Sequence, residues 1–254
     1  MLEALVLGVL QGITEFFPIS STAHLVLIPR IFNFSETANS LTFDVALHIG
    51  TLLSLFFVFW RDWLRMVRKD RKLLLLLAAG SVPAAFFGLL FEDVVETSLR
   101  SPLVIIFTLI IVGFVMLLAE RFRGGKIAGG LRLKDALAIG LAQAMALVPG
   151  VSRSGITIAA GLFIGMRREE AARFSFLLSM PVVGGAALLE GGKIGAGLLS
   201  EPALFFTGML ASAVAGLLAI KYLLRFLAKH PVNAFVYYRF ALALAIAFWW
   251  VGAR

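Results

Sequence analysis

The sequence contains no cysteine and little charge. Of its 254 residues, 15% are Asp, Glu, Lys or Arg, whereas 60% are hydrophobic, and the mean hydropathy is +0.96. The absence of cysteine excludes disulfides, thiolate metal ligands and a cysteine nucleophile. Soluble domains usually carry about 25% charged residues. The scarcity of charge therefore indicates a chain whose solvent is the lipid bilayer.

The sequence also lacks a Gly-rich nucleotide-binding loop, zinc-ligand spacing and a Ser-His-Asp elbow. Its net charge is +8, but the basic residues do not form a stripe interleaved with aromatic residues, so we expect no nucleic-acid partner. They cluster instead in short loops between apolar runs, which is typical of the cytoplasmic loops of membrane proteins. The basic excess is therefore interpreted as a topology signal.

Six apolar runs are long enough to cross the ~30 Å hydrocarbon core of a bilayer as helices. They are residues 42–60, 73–91, 103–119, 174–189, 203–224 and 234–251. Two further apolar stretches, residues 1–29 and 136–166, are interrupted by Pro18 and by Pro149 with Gly150. Proline removes a backbone donor that lipid cannot replace, so such a break must be covered by protein or by a water-filled cavity. We expect two re-entrant pairs of half-helices, with an ordinary proline kink as the alternative.

The basic loops after the first and third runs predict that these loops are cytoplasmic, which puts the Gly-rich loop near residues 190–201 outside. The two broken stretches then enter the membrane from opposite sides. The sequence predicts an all-α polytopic membrane protein: six transmembrane helices plus two re-entrant helix pairs arranged as an inverted-topology repeat. Residues 1–254 form a single membrane domain, with repeat halves of about 1–120 and 133–254.

The first broken stretch carries an unusual set of polar side chains. Gln11 and Glu15 lie four residues apart, on one face of a helix. The turn after Pro18 adds three hydroxyls and an imidazole, from Ser20, Ser21, Thr22 and His24. A carboxylate in hydrocarbon is unfavourable unless it is paired or hydrated, so Glu15 is a functional candidate. The alternatives are a structural partner for a buried arginine in the case of Glu15, and a satisfied polar residue in the case of His24.

The second broken stretch offers hydrogen-bond donors at the start of a half-helix. They are Ser152, Arg153, Ser154 and Thr157. A helix N-terminus presents free N–H groups and the positive end of the helix dipole, so this set can bind a phosphate. Alternatively Arg153 only neutralises Glu15 across the repeat interface, and the two interpretations are compatible. Asp44 and His48 could face the same cavity or serve as hydrogen-bonding residues inside the bundle.

A donor set for phosphate beside an acid and an imidazole indicates phosphoryl transfer or hydrolysis. A site inside the bilayer favours a lipid phosphate, because an acyl or prenyl tail can stay among the apolar helices. A transporter is the rival hypothesis, since inverted repeats with broken helices are also how secondary carriers are built. Phosphate release by purified protein in detergent separates the two.

Two motifs carry a specific resemblance. Residues 11–24 read QGITEFFPISSTAH, and residues 149–157 read PGVSRSGIT. They resemble the undecaprenyl-diphosphate phosphatase family of the bacitracin-resistance type, whose first motif is Glu or Gln, three residues, then Glu. The second family motif, Pro-Gly-x-Ser-Arg-Ser-x-x-Thr, is complete here. The resemblance extends along essentially the whole chain in length and in the order of the spans.

The resemblance implies an enzyme of the bacterial cytoplasmic (inner) membrane that hydrolyses the C55 polyprenyl diphosphate to its monophosphate on the extracytoplasmic side. This recycles the lipid carrier for cell-wall synthesis and gives bacitracin resistance. It implies a divalent cation, Mg²⁺ or Ca²⁺, at Gln11 and Glu15. Because Gln11 stands where other members have Glu, cation binding should be weaker here. The expected partners are the polyprenyl diphosphate and membrane lipid, with a homodimer left open.

Residue roles follow from the resemblance together with the chemistry of the two stretches. The catalytic candidates are Glu15, Ser20, Ser21, His24 and Arg153. The substrate-binding candidates are Thr22, Ser152, Arg153, Ser154 and Thr157. The nucleophile is open between Ser20 or Ser21, activated by Glu15 or His24, His24 itself, and a metal-bound water. We favour a nucleophile from the turn of residues 20–24, with Arg153 stabilising the charge of the transferring phosphoryl group.

Overall fold

The computed structural model describes the backbone of residues 1–97, 99 and 101–252, and the side chains of these residues except 92–97. The described chain is helical and contains no strand. Its eleven α-helices are α1 (Leu2–Thr14), α2 (Ser21–Phe32), α3 (Leu41–Arg68), α4 (Arg71–Thr97), α5 (Pro102–Glu120), α6 (Leu133–Met145), α7 (Arg153–Phe163), α8 (Arg168–Leu189), α9 (Gly191–Ser200), α10 (Pro202–Lys229) and α11 (Asn233–Gly252). A short 3-10 helix, Ala128–Gly130, precedes α6.

Six of these helices, α3, α4, α5, α8, α10 and α11, are long and apolar enough to cross a membrane. Their mean hydropathy lies between 1.6 and 2.9 over an 18-residue window. Each contains one of the six predicted apolar runs, so the prediction of an all-helical, multi-pass membrane protein is confirmed. The helices extend beyond the apolar runs into basic ends, as at Arg65 and Arg68 of α3. Long basic side chains tolerate such positions because their heads can reach water from a partly buried stem.

Both broken stretches are pairs of short helices joined by a turn, rather than single helices with a kink. The pairs are α1 with α2 and α6 with α7, and the four helices have 13, 12, 13 and 11 residues. Each is shorter than the roughly 20 residues that a helix needs to cross a bilayer. The second helix of each pair begins after a serine with positive φ, Ser20 at 74° and Ser152 at 71°.

Glycines set how the half-helices pack. α1 packs along α10, and α6 packs along α4. A Cβ added to Gly8 would collide with the backbone carbonyl of Gly208, and one added to Gly140 would collide with that of Gly80. The backbones of α1 and α10, and those of α6 and α4, therefore touch directly, as small residues allow between membrane helices. These close approaches fix the rotation of α1 and α6, and with it the direction of their polar side chains.

Three phenylalanines anchor the turn that follows α1. The ring of Phe16 meets that of Phe176 edge to face, with centroids 5.2 Å apart, and Phe176 lies 6.5 Å from Phe59. All three side chains are fully buried. Edge-to-face aromatic contacts add geometric preference to apolar burial. Because Phe16 directly follows Glu15, this cluster holds the backbone from which the carboxylate projects.

The prediction of a loop near residues 190–201 is wrong, since this segment forms α9. Its Ile194 is buried with Phe205 of α10 in one apolar cluster. Gly197 leaves room for the ring of Phe205, which a side chain at that position would strike. Packing against α10 thus outweighs the low helix propensity of a glycine-rich segment.

Candidate active site

The carboxylate of Glu15 joins the two broken stretches. Its Oε1 accepts a hydrogen bond from Nη2 of Arg153 at 2.6 Å, across 138 positions of sequence. Its Oε2 accepts from Oγ of Ser21 at 2.8 Å and from Nε2 of Gln11 at 3.1 Å, and Nε2 of His48 lies 3.5 Å away. Glu15 is only 7% exposed. A buried carboxylate needs this many partners, because each unmade interaction would leave its charge uncompensated.

The two turns present equivalent residues to this carboxylate. The hydroxyl of Ser20 accepts from the backbone N–H of Ala23 at 3.4 Å, and that of Ser152 accepts from the N–H of Gly155 at 3.2 Å. Each serine therefore caps its helix, and the residue that follows it is the first of the helix. In α2 this first residue is Ser21, and in α7 it is Arg153. Both of these first residues contact Glu15.

Arg239 of α11 holds both turns in place. Its guanidinium is fully buried and donates to the carbonyl of Pro18 at 3.4 Å and to that of Gly150 at 2.9 Å. It also donates to the carbonyls of Thr108 and Leu109 in α5, each at 3.1 Å. The carbonyls of Pro18 and Gly150 lie in turns outside the helices, so they need external donors, whereas those of Thr108 and Leu109 belong to the continuous helix α5. Sequence reasoning did not single out Arg239; its signal is a lone arginine within an apolar span.

The backbone of the second turn requires glycine. Gly150 has φ of 89°, and a Cβ at this position would collide with the hydroxyl of Thr108. That hydroxyl donates to the carbonyl of Pro149 at 2.7 Å. Glycine is the residue that adopts this left-handed conformation without strain and also permits such close approach. The Pro149 and Gly150 pair therefore shapes the turn that delivers Ser152 and Arg153.

A cavity of about 160 Å³ opens beside Glu15. Its polar lining residues are Glu15, Ser21, Thr22, His48, Gln143, Ser152, Arg153 and Ser179. Its apolar lining residues are Ala84, Ala146, Leu147, Val182 and Val183. The cavity therefore offers contacts to both polar and apolar groups of a ligand.

The hydroxyls of Ser154 and Thr157, two predicted phosphate ligands, are engaged within the bundle. Ser154 donates to the carbonyl of Phe17 at 3.2 Å. Thr157 lies 2.6 Å from the hydroxyl of Ser175 and donates to the carbonyl of Arg153 at 2.7 Å. Both side chains are buried, and neither belongs to the cavity wall among the described residues. In this structure they brace α7, whereas Thr22, Ser152 and Arg153 reach the cavity.

His24 also points away from the cavity. Its Nδ1 lies 2.8 Å from the carbonyl of Ser20, and its Nε2 lies 2.8 Å from the hydroxyl of Tyr238. Because a carbonyl can only accept, Nδ1 carries the proton and Nε2 accepts from Tyr238. Of the predicted catalytic residues, the structure brings Glu15, Ser21 and Arg153 together. It places His24 against α11 and keeps the hydroxyl of Ser20 in its helix cap.

His48 takes the place beside the acid that sequence reasoning gave to His24. For Asp44 and His48 the sequence left two roles open, a position facing the cavity and a hydrogen-bonding role inside the bundle. Its Nδ1 donates to the carbonyl of Asp44 at 2.7 Å, which turns Nε2 toward Glu15. An attractive contact with the carboxylate then requires a second proton on Nε2. His48 can thus exchange a proton with Glu15.

Gln11 and Glu15 remain the residues that fit a divalent cation. Within the part of the chain that the structure describes, no group of three His, Cys, Asp or Glu residues is close enough to hold a metal ion. However, Nε2 of Gln11 donates to the carboxylate of Glu15, and its Oε1 is buried without a hydrogen-bond partner among the described residues. Mg²⁺ is often held by one or two carboxylates together with water and substrate phosphate oxygens. One carboxylate and one amide oxygen therefore suit such an ion.

The similarity of this chain to known proteins extends over both broken stretches. A family model described as bacitracin resistance protein BacA matches residues 4–245. The chain is similar to an undecaprenyl-diphosphatase of Thermodesulfovibrio yellowstonii, with 53% identity over 97% of this chain and 96% of that protein. Undecaprenyl-diphosphatases of Rubrobacter xylanophilus and Desulforudis audaxviator are each 47% identical. The match to the Rubrobacter protein covers 97% of this chain and 97% of that protein. The match to the Desulforudis protein covers 96% of this chain and 95% of that protein.

Proposed function

Because this chain belongs to the bacitracin resistance protein BacA family, we propose that it hydrolyses undecaprenyl diphosphate to the monophosphate and inorganic phosphate. Such an activity recycles the lipid carrier and accounts for the resistance in the family name. The observation that carries the proposal is the contact of Glu15 with both Ser21 and Arg153 at the edge of the cavity. A proton acceptor, a hydroxyl and a cation then converge where a phosphoryl group can enter.

The mixed polar and apolar lining of the cavity supports a lipid substrate. Arg153, Ser152 and the N-terminus of α7 offer donors to phosphate oxygens, and a helix N-terminus attracts anions. Leu147, Val182 and Val183 offer apolar contacts to the first isoprene units. The remainder of a C55 chain then stays among the apolar helices and the surrounding lipid.

The geometry favours Ser21 as the nucleophile. Its hydroxyl proton already points at Oε2 of Glu15, which acts as the general base. Ser21 Oγ attacks the terminal phosphorus, its proton passes to Glu15, and the bond from phosphorus to the bridging oxygen breaks to release prenyl monophosphate. Hydrolysis of this phosphoserine by water releases inorganic phosphate and restores the serine. His48, beside Glu15, exchanges protons with the carboxylate between these steps.

Arg153 stabilises the charge that develops on the transferring phosphoryl group. It is held ready by Glu15 and by the carbonyl of Ser175, to which its Nη1 donates at 3.2 Å. When a phosphate enters, the guanidinium keeps an anionic partner throughout, so its charge is never left unpaired. A divalent cation bound by Glu15 and the amide oxygen of Gln11 would supply further neutralisation of phosphate charge.

We also propose that the two pairs of short helices are re-entrant and that residues 1–120 and 133–254 form inverted repeats. Two observations support this arrangement. Ser20 and Ser152, both with positive φ, precede the second short helix of each half, and the first short helix of each half packs on a long helix of the other half, α1 on α10 and α6 on α4. The basic loops that follow α3 and α5 support an orientation in the bacterial cytoplasmic membrane with the site opening to the extracytoplasmic side.

Phosphate release by purified protein in detergent tests the proposal, because a micelle offers no second compartment for transport. With undecaprenyl diphosphate and Mg²⁺, we expect the unmodified protein to release phosphate and Glu15→Gln to do so about 10²–10⁴-fold more slowly. Glu3→Gln is the matched control, since Glu3 lies on the same helix and accepts hydrogen bonds from Ser35 at the surface. Binding without phosphate release by the unmodified protein would overturn the proposal in favour of a transporter or flippase.

A further inference from the structure

Gln143 of α6 is a buried amide with nothing to bind in the described structure. It is 2% exposed, it lines the cavity beside Glu15, and neither its Oε1 nor its Nε2 has a hydrogen-bond partner among the described residues. Buried polar groups are nearly always satisfied, so an amide with both ends free requires an explanation. Its position on the wall of the cavity points to a ligand.

The corresponding residue of the first stretch shows why Gln143 is free. Gln11 lies nine positions before its capping serine, and Gln143 lies nine positions before Ser152. Gln11 donates to Glu15 at 3.1 Å. The position equivalent to Glu15 in the second stretch is Leu147, which offers no acceptor. The amide of Gln143 therefore lacks the partner that its equivalent keeps, and the residue lines the cavity.

The chemistry of a primary amide suits a diphosphate. Its NH₂ donates to phosphate oxygens, and its carbonyl accepts from a protonated phosphate, so one neutral side chain meets both kinds of group. Arg153 supplies a charge and Glu15 supplies an acceptor at the same cavity. A second cation opposite Arg153 would leave an uncompensated charge in the bundle once the product departs. A neutral amide avoids this problem.

The position of Gln143 selects one of the two phosphates. Gln143, Ala146 and Leu147 all line the cavity and stand three and four positions apart in the same helix and the turn after it, so Gln143 has apolar lining residues as its neighbours. The prenyl chain contacts these apolar residues and is attached to the proximal phosphate. The distal phosphate must reach Ser21 and Arg153 for its bond to be cleaved. Resting on the proposed function, we propose that Gln143 binds the proximal phosphate, which leaves with the prenyl chain.

Gln143→Met tests this assignment, because methionine keeps the length of the side chain and removes both hydrogen-bonding groups. We expect the KM for undecaprenyl diphosphate to rise about tenfold, with kcat within about twofold. Inhibition by inorganic phosphate should be unchanged, because we expect free phosphate to bind at Arg153. The thermal stability of the protein without substrate should be equal or higher, since an unsatisfied buried amide has been removed. Gln143→Glu should raise KM further, because its carboxylate repels phosphate.

Ser81→Ala is the matched control. Ser81 is a buried polar residue of α4, against which α6 packs, and its hydroxyl donates to the carbonyl of Leu77 away from the cavity. It should leave KM unchanged. An unchanged KM in Gln143→Met, or a loss of stability together with kcat, would overturn the assignment and make Gln143 a packing or water-binding residue. If the unmodified protein releases no phosphate, the proposed function fails by itself. Equilibrium binding of undecaprenyl diphosphate to the unmodified protein and to the Gln143→Met variant then decides the role of Gln143.

Discussion

The turn after Pro18 and the turn after Pro149 end in the same way and carry opposite chemistry. Each ends a half-helix, passes through a serine with φ near +70°, and starts a second half-helix that the serine caps. At the first position of that helix one turn has Ser21 and the other has Arg153. The first stretch supplies a proton acceptor and a hydroxyl, and the second supplies positive charge. Two turns of similar form thus build one site, because they carry different side chains at matching positions.

The largest expected effect separates two neighbouring serines of the first turn. Ser21→Ala should lower kcat by roughly 10⁴-fold or more, because it removes the proposed nucleophile. Ser20→Ala should keep most activity and lower stability by about 1 kcal/mol, because the hydroxyl of Ser20 only caps α2. Phosphate release and trapping of a phosphoenzyme measure the difference. A phosphoenzyme that persists in Ser21→Ala would refute the role of Ser21.

The next effect probes the opposite charge of the second turn. Arg153→Met should lower kcat/KM by about 10²–10³-fold, because a preorganised donor to the transferring phosphoryl group is lost. Arg153→Lys should recover only part of this loss, since an ammonium lacks the planar fork that spans Glu15 and the carbonyl of Ser175. Steady-state kinetics in detergent checks both variants. Equal activity of the lysine variant and the unmodified protein would show that charge alone suffices.

The smallest effect tests whether the two backbones are truly equivalent. Ser20→Gly and Ser152→Gly should each change the free energy of unfolding by only a few tenths of a kcal/mol, because glycine adopts positive φ freely and is itself an acceptable cap. The alanine variants should cost about 1 kcal/mol at both positions, since they lose the cap and, unlike glycine, do not relieve the strain of a Cβ at positive φ. Denaturant titration of the purified protein measures these changes. Different values at the two serines would break the comparison.

Hydropathy predicts the six long helices and both breaks correctly, because a bilayer imposes a minimum length and leaves no water for an interrupted backbone. The pairing of Glu15 with Arg153 is predictable for a similar reason. An isolated buried charge is so unfavourable that each of these residues implies the other. These parts of the structure follow from the solvent and need no knowledge of packing.

The direction of individual side chains is a different matter. Ser21 and His24 lie three positions apart on α2, yet Ser21 contacts Glu15 and His24 contacts Tyr238. Which face of a short helix meets the cavity depends on close backbone contacts between segments far apart in sequence, such as Gly8 with Gly208. Such contacts have no local signature. For the same reason the sequence left open whether His48 faces the cavity or the bundle interior, and α9 was predicted as a loop.

Arg239 links the timing of synthesis to the completion of the site. The carbonyls of Pro18 and Gly150 share this one guanidinium, and it belongs to α11, the last helix of the described chain. While the ribosome is still producing the earlier helices, both turns lack their common donor. Both turns can therefore gain this donor only after the helices that carry the catalytic side chains have been made, and α11 supplies it to the two together.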